Sequence, residues 1–289
     1  MQRKLSIYLL SISLLLLPVA VSAAQQQGIV WQISRSGLKP SYLMGTMHSD
    51  DERIVKLSDK AEVVFKKADS FTAEMKLDFP TMQAMSSLMF FNDGQDLEKV
   101  IGAKRYQICV GYLVEHGLPE TMIRSMKPWA VSATLSMPKP KTGLVLDMWL
   151  YQRAESDGKR IYGLETPVEQ ASVFEAFTLQ QQISMLDDTL RYYHELPVML
   201  EEMIGHYLRG DLTGLERVGD KYMQQGDPKL AQEMMQRAIT DRNHRMVKRM
   251  QPRLLEGNSF IAVGALHLPG EEGILRLLEK QGYTVTPVN

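Results

Sequence analysis

From Gly28 onward, short apolar runs alternate with longer stretches in which apolar residues recur every three or four positions. SYLMGT at 41–46 reads as a strand, with GIVWQIS at 28–34 as its pairing neighbour. LSDKAEVVFKKA at 57–68 sets Ala61, Val64, Phe65 and Ala68 at helical spacing. DSFTAEM at 69–75 predicts a strand ending near Glu74, and KRIYGLE at 159–165 another ending at Glu165. Between them, residues 80–155 predict helices broken at Pro119, Pro128 and Pro138 to Pro140, because proline has no N–H to continue a helix. A second helical stretch fills 168–255. The last unit is a strand FIAVGALH at 260–267, a helix GEEGILRLLEKQ at 270–281 and a strand YTVTPV at 283–288. Strands alternating with helices predict an α/β fold with much parallel pairing.

Local signals support two of the helix ends. Thr166, Pro167 and Glu169 have the spacing of a capping box directly after Glu165. Gly282 suits the position just past the end of the last helix.

The first residues change the picture of where the chain works. Arg3 and Lys4 precede an apolar stretch from Leu5 to Val21, and Ser22, Ala23 and Ala24 offer a small-residue cleavage site. This layout predicts a secretory signal peptide over 1–24 and one domain over 25–289. The alternative is an uncleaved anchor, since the stretch is nearly long enough to span a bilayer. With cleavage, no membrane span remains, and the expected location is periplasmic or secreted, in a bacterial envelope. Cys109 is the only cysteine, so no intrachain disulfide forms. A formal net charge of −1 gives no electrostatic case for nucleic acid.

The chemistry lies at the predicted strand ends. They deliver His48, Glu74, Glu165 and His267, and both histidines follow a glycine at the spacing G-x-x-H, from Gly45 and Gly264. In parallel α/β sheets ligands bind in the crevice outside the carboxyl ends of the strands. If these four strands are mutually parallel, two imidazoles and two carboxylates converge. The glycines would let the chain leave the strand through a dihedral region costly for other residues, or let backbone approach a ligand closely. Such a set suits Zn, Mn, Fe or Co with open positions, hence metal-assisted hydrolysis. Each histidine taken singly also reads as a hydrogen-bonded strand-end residue, and each glutamate as a cap or surface residue.

Several segments together resemble the TraB/GumN (PrgY-type) family, related to the Tiki metalloproteases and more distantly to erythromycin-esterase and haem-binding ChaN-like folds. They are SYLMGTMHSDDERI, FTAEM, KPWA at 127–130, GLVLDMWL at 143–150, YGLETPVEQ at 162–170, DRNHRM at 241–246 and AVGALHLPGEEGILRLLEKQGYTVTPV, in family order. The resemblance implies a Tiki/erythromycin-esterase-like mixed, largely parallel sheet flanked by helices, with a helical insertion. It implies a metal-dependent peptidase site with Mn or Co, or Zn, in which His48, His267 and Glu74 bind the metal. It further implies Glu165 as general base or second carboxylate. Arg242 would stabilise oxyanion charge or orient a carboxylate by a bidentate contact, with Asn243 as companion. The substrate would be a peptide or small molecule. The competing reading is a non-catalytic periplasmic binding protein holding a peptide, haem or other small ligand in the same crevice.

Other candidates are read as structural. His116, His194, His206 and His244 lack a ligand-like partner, with His244 nearest the site through Arg242. Met82, Met85 and Met89 fall at helical spacing and predict core packing, or else an adaptable groove. Trp129 is expected to pack inward, and Cys109 to be buried filler. HSDDER at 48–53 could help to hold a cation or form a solvated turn. No G-x-S-x-G, phosphate loop or H-E-x-x-H occurs.

Overall fold

The computed structural model describes residues 27–223 and 226–288. The expected signal peptide, 1–24, lies outside the described residues. One six-stranded sheet is formed by β1 (Val30–Ser34), β2 (Ser41–Thr46), β3 (Ser70–Ala73), β4 (Arg160–Gly163), β5 (Ser259–Gly264) and β6 (Thr284–Pro287), in the order β4-β3-β5-β2-β1-β6. β1 and β2 form an antiparallel hairpin with Trp31 opposite Leu43, and β6 adds antiparallel to β1. β2, β5, β3 and β4 pair in parallel throughout. The fold is therefore α/β with a mixed, mostly parallel sheet flanked by helices, as the alternating pattern predicts.

Burial follows strand position. β3 and β5 lie inside the sheet under helices, so SFTA is buried throughout and SFIAVG is buried up to its last residue. Edge strands β4 and β6 are more exposed, and Pro287 ends β6, where its missing N–H interrupts no inner ladder. Phe65, Phe71 and Phe260 meet edge-on and stacked beneath the sheet, with ring centroids 5.1 to 6.5 Å apart.

Helices fill the two predicted stretches, and prolines mark their starts. Pro119 caps Glu120–Ile123, and Pro128 and Pro167 begin Pro128–Leu135 and Pro167–Glu175. The capping box at Thr166 and Glu169 forms, and Gly282 follows Ile274–Lys280 with φ +84°. Trp129 stacks on Phe174 in a second apolar cluster, separate from the one around the sheet, which also buries Tyr106, Cys109 and Leu113. Burial pushes the Cys109 thiol up to about 12, so it stays protonated and inert.

Two local expectations are corrected. The methionine stripe is not core: helix Phe79–Leu88 has no buried residue, Met82 is exposed, and only Met85 and Met89 lean on the second cluster. HSDDER is not a solvated turn throughout, because its two aspartates are buried. Asp50 is buried and accepts hydrogen bonds from the backbone N–H groups of Lys141, Thr142 and Gly143 at 2.6 to 3.0 Å, while Asp51 pairs with Arg53. Burial raises the Asp50 pKa, but those donors outweigh it and hold the carboxyl below its usual range. Among the described residues, no helix is long and apolar enough to cross a membrane.

Candidate functional site

The parallel register aligns Gly45 with Val263 and Thr46 with Gly264, so both G-x-x-H segments leave the sheet side by side. Neither glycine has the left-handed backbone that the dihedral argument invokes; Gly264 has φ −53°. Space is the reason instead. A Cβ on Gly45 would stand 2.9 Å from Leu268 Cδ1 and 3.0 Å from Ala265 Cα, and one on Gly264 would stand 3.2 Å from Glu74 Oε1. Strand β5 stops at Gly264, and Ala265–His267 form a single 3-10 turn that swings the imidazole back over the strand end.

His267 is buried and clamped. Asn243 Nδ2 donates to the Glu272 carbonyl at 2.8 Å, which turns Asn243 Oδ1 toward His267 Nδ1 at 2.6 Å. An amide oxygen can only accept, so Nδ1 carries the proton and Nε2 keeps its lone pair. That Nε2 stands 3.7 Å from Glu74 Oε1, too far for a hydrogen bond. Burial lowers the His267 pKa to about 4, with Arg242 and His48 acting in the same direction and Glu74 against it.

Glu74 lies just past β3. Its Oε1 accepts from Gly264 N–H at 2.6 Å and its Oε2 pairs with Arg242. Burial pushes this carboxyl up, but His267, Arg242, His48 and the Gly264 N–H together hold it at about 2. Glu165, past β4, has no exposed side-chain surface; Arg242 grips its Oε2 at 2.7 and 2.9 Å, and Arg245 its Oε1 at 3.0 Å. Gln170 donates to both glutamates. Arg242 raises no free edge: Nε and Nη2 serve the carboxylates and Nη1 the Ala238 carbonyl. Of the two roles expected for Arg242, the contacts match the orientation of carboxylates. Glu165 is held on both oxygens by guanidinium groups, Oε2 by Arg242 and Oε1 by Arg245, and so supports Arg242.

His48, with a side chain 53% exposed, faces the crevice at 3.9 Å from Asp147 Oδ2. Asp147 raises its pKa, against desolvation, with Glu74 helping and Arg242 opposing. The charges of His48, Glu74 and His267 at the strand ends and of Arg242 on the helix Asp241–Glu256 thus act on one another, so the four share one neighbourhood. His244 stands apart, exposed and paired with Glu272.

Asp147 escaped the sequence reading, although one charged residue inside the apolar run LVLDMWL was a signal. Helix Leu146–Ser156 carries it in its first turn, and Thr46 Oγ1 donates to its Oδ1 at 2.7 Å. Arg245 and Gln170 were also missed, because their partners are brought near only by the fold.

The donors fit a divalent ion in kind: a lone pair held free on a buried imidazole, a second imidazole open to the crevice, and carboxylates. Their arrangement is two N···O pairs. Among the described residues, no group of three or more His, Cys, Asp or Glu side chains is placed to hold a metal ion.

Comparison with known proteins finds relatives along most of the chain. Metalloprotease TIKI2 of Danio rerio is 25% identical, over 92% of this chain and 62% of its own length. Metalloprotease TIKI1 of Xenopus tropicalis is 26% identical, over 91% and 62%. The chain therefore spans less than two thirds of these relatives. YbaP of Shigella flexneri is 24% identical, over 85% of this chain and 90% of its own. No solved structure matches. A sequence profile of the TraB/PrgY/gumN family matches residues 29–287, nearly everything described above, and the chain belongs to that family, which relates it to the Tiki metalloproteases.

Proposed function

We propose that this chain is an exported, metal-dependent hydrolase that cleaves peptide bonds. The observation that carries the reading is the clamp on His267: a buried imidazole whose Nε2 lone pair is kept free, beside Glu74 and in the neighbourhood of His48. A neutral histidine held by a second residue through its other nitrogen is the usual form of a metal ligand. His48, His267 and Glu74 would hold the ion, with Mn, Co or Zn suited to nitrogen and oxygen donors. Once bound, such an ion polarises a carbonyl and makes water acidic enough to attack near neutral pH.

The remaining residues serve that arrangement. Asn243 sets the tautomer and aim of His267. Arg242 holds Glu74 ionised and oriented, and Glu165 with Arg245 holds Arg242. Gly264 contributes its N–H to Glu74 and leaves the space that the carboxylate occupies. Gly45 lets the His267 turn seat against β2. Export rests on the pattern of residues 1–24; a mature N-terminus near Gln25, read by mass spectrometry from the envelope fraction, is the expected result.

The test is a peptide library incubated with purified protein carrying Mn²⁺, Co²⁺ or Zn²⁺. Cleavage that a chelator abolishes, and that His48→Ala and His267→Ala each lose, is expected. Protein that takes up no metal yet binds a peptide or haem would establish the binding-protein reading instead.

A further inference from the structure

Among the described residues, two buried side-chain polar atoms lack a hydrogen-bond partner: the Thr72 hydroxyl and Asp147 Oδ2. The second matters more, because an unpaired carboxylate oxygen is costly to bury. Asp147 cannot easily turn away. Thr46 occupies its Oδ1, and its helix is anchored by Leu146 and Leu150, both fully buried. The loop entering that helix is tied down by Asp50.

What Oδ2 faces is His48 Nε2 at 3.9 Å, and this gap resembles the 3.7 Å between His267 Nε2 and Glu74 Oε1. Both exceed hydrogen-bond length. Two ligands of a tetrahedral ion, each about 2.0–2.2 Å from it, stand about 3.4 Å apart. Each pair therefore needs only a closure of about half an ångström or less to sit on one ion. Joining the two pairs on the same ion needs a further approach of one to the other, since no three such side chains are already grouped among the described residues. A nearby guanidinium is no substitute, since Arg242 is already taken up by Glu74 and Glu165.

We infer that Asp147 is a further ligand of the divalent ion, acting with His48, so that the donor set comprises two imidazoles and two carboxylates. The inference rests on the metal-dependent reading above. It specifies a hard-to-borderline first-row ion with nitrogen and oxygen ligands and only some positions left open.

Metal-free full-length protein is titrated with Co²⁺, followed by calorimetry and by visible absorption. Wild type should bind, and Asp147→Asn should bind at least about tenfold more weakly with an altered spectrum, at unchanged circular dichroism. Asp147→Cys supplies a second readout: a thiolate on cobalt adds an intense near-ultraviolet charge-transfer band, and Cys109 is too buried to imitate it. Should Asp147→Asn fail to fold, presence of that band supports the assignment and its absence overturns it. Equal Co²⁺ affinity and spectrum in wild type and Asp147→Asn overturn the role of Asp147 and leave the metal reading standing. Wild-type protein that binds no Co²⁺ overturns both.

Discussion

At Gly45 a single methyl group has nowhere to go. Leu268 Cδ1 could yield, but the Ala265 Cα at 3.0 Å is backbone and belongs to the turn that carries His267. Gly45→Ala should therefore destabilise the fold by about 1–3 kcal/mol, as overpacking does, and a urea titration reads the loss. An unchanged midpoint would mean that the turn is free to move. Asn243 offers the complementary experiment. Asn243→Ala leaves the His267 Nδ1–H and the Glu272 carbonyl without partners, at a cost of about 1–3 kcal/mol. It also releases the tautomer, so Co²⁺ affinity should fall about 10- to 100-fold. Loss of stability with metal affinity intact would reduce Asn243 to a packing residue. The G-x-x-H spacing was legible as a motif, but the physical need for each glycine was not. Sequence reasoning offered an unusual dihedral or a close approach to a ligand, whereas the need seen is room beside protein atoms from distant segments.

Among elements, the segment from 48 to 53 shows how a polar run can work from inside. Asp50 fills the concave row of N–H groups at 141–143 and so joins the exit of β2 to the entry of Leu146–Ser156. Asp50→Ala empties that row. Trypsin should then cut after Lys141 markedly faster than in wild type, because the loop loses its tether while the flanking helix stays anchored by buried leucines. Equal cleavage rates would show that other contacts hold the loop. A second element was invisible in the apolar periodicity. Residues Gln236–Thr240 adopt a π-helical turn immediately before Asp241–Glu256, the helix that carries Arg242 and Asn243. Periodicity placed a helix there correctly. It carried no information about the local widening, which leaves the polar and apolar spacing nearly unchanged. The stripe of Met82, Met85 and Met89 failed for a related reason: helical spacing identifies a face, but only packing says what that face meets.

For the molecule as a whole, buried and half-buried ion pairs set the response to acid. Arg53 holds the Asp51 carboxyl at about 2, Arg153 does the same for Glu62, and Arg249 for Glu169. Their unfolded values are 3.8 for Asp51 and 4.5 for the two glutamates. Below those values the unfolded chain takes up protons that the folded chain refuses, so stability present above about pH 4.5 is lost progressively toward pH 2. Thermal melting across that range should slope downward with acid, and Glu62→Gln should flatten part of the slope; a flat wild-type profile would refute the assignment. Strand and helix order, the proline breaks, the capping box and the four residues at the parallel strand ends were all readable from the chain alone. Apolar periodicity, turn chemistry and the exit direction of strands are local properties, and they survive in one dimension. Which carboxylate orients which arginine, that Arg242 and Arg245 both meet on Glu165, and that Asp147 waits beside His48 with an unpaired oxygen were decided only by the tertiary structure. Those facts are distances between side chains some 70 to 170 positions apart in the chain, such as Glu74 and Arg242, which no local pattern encodes.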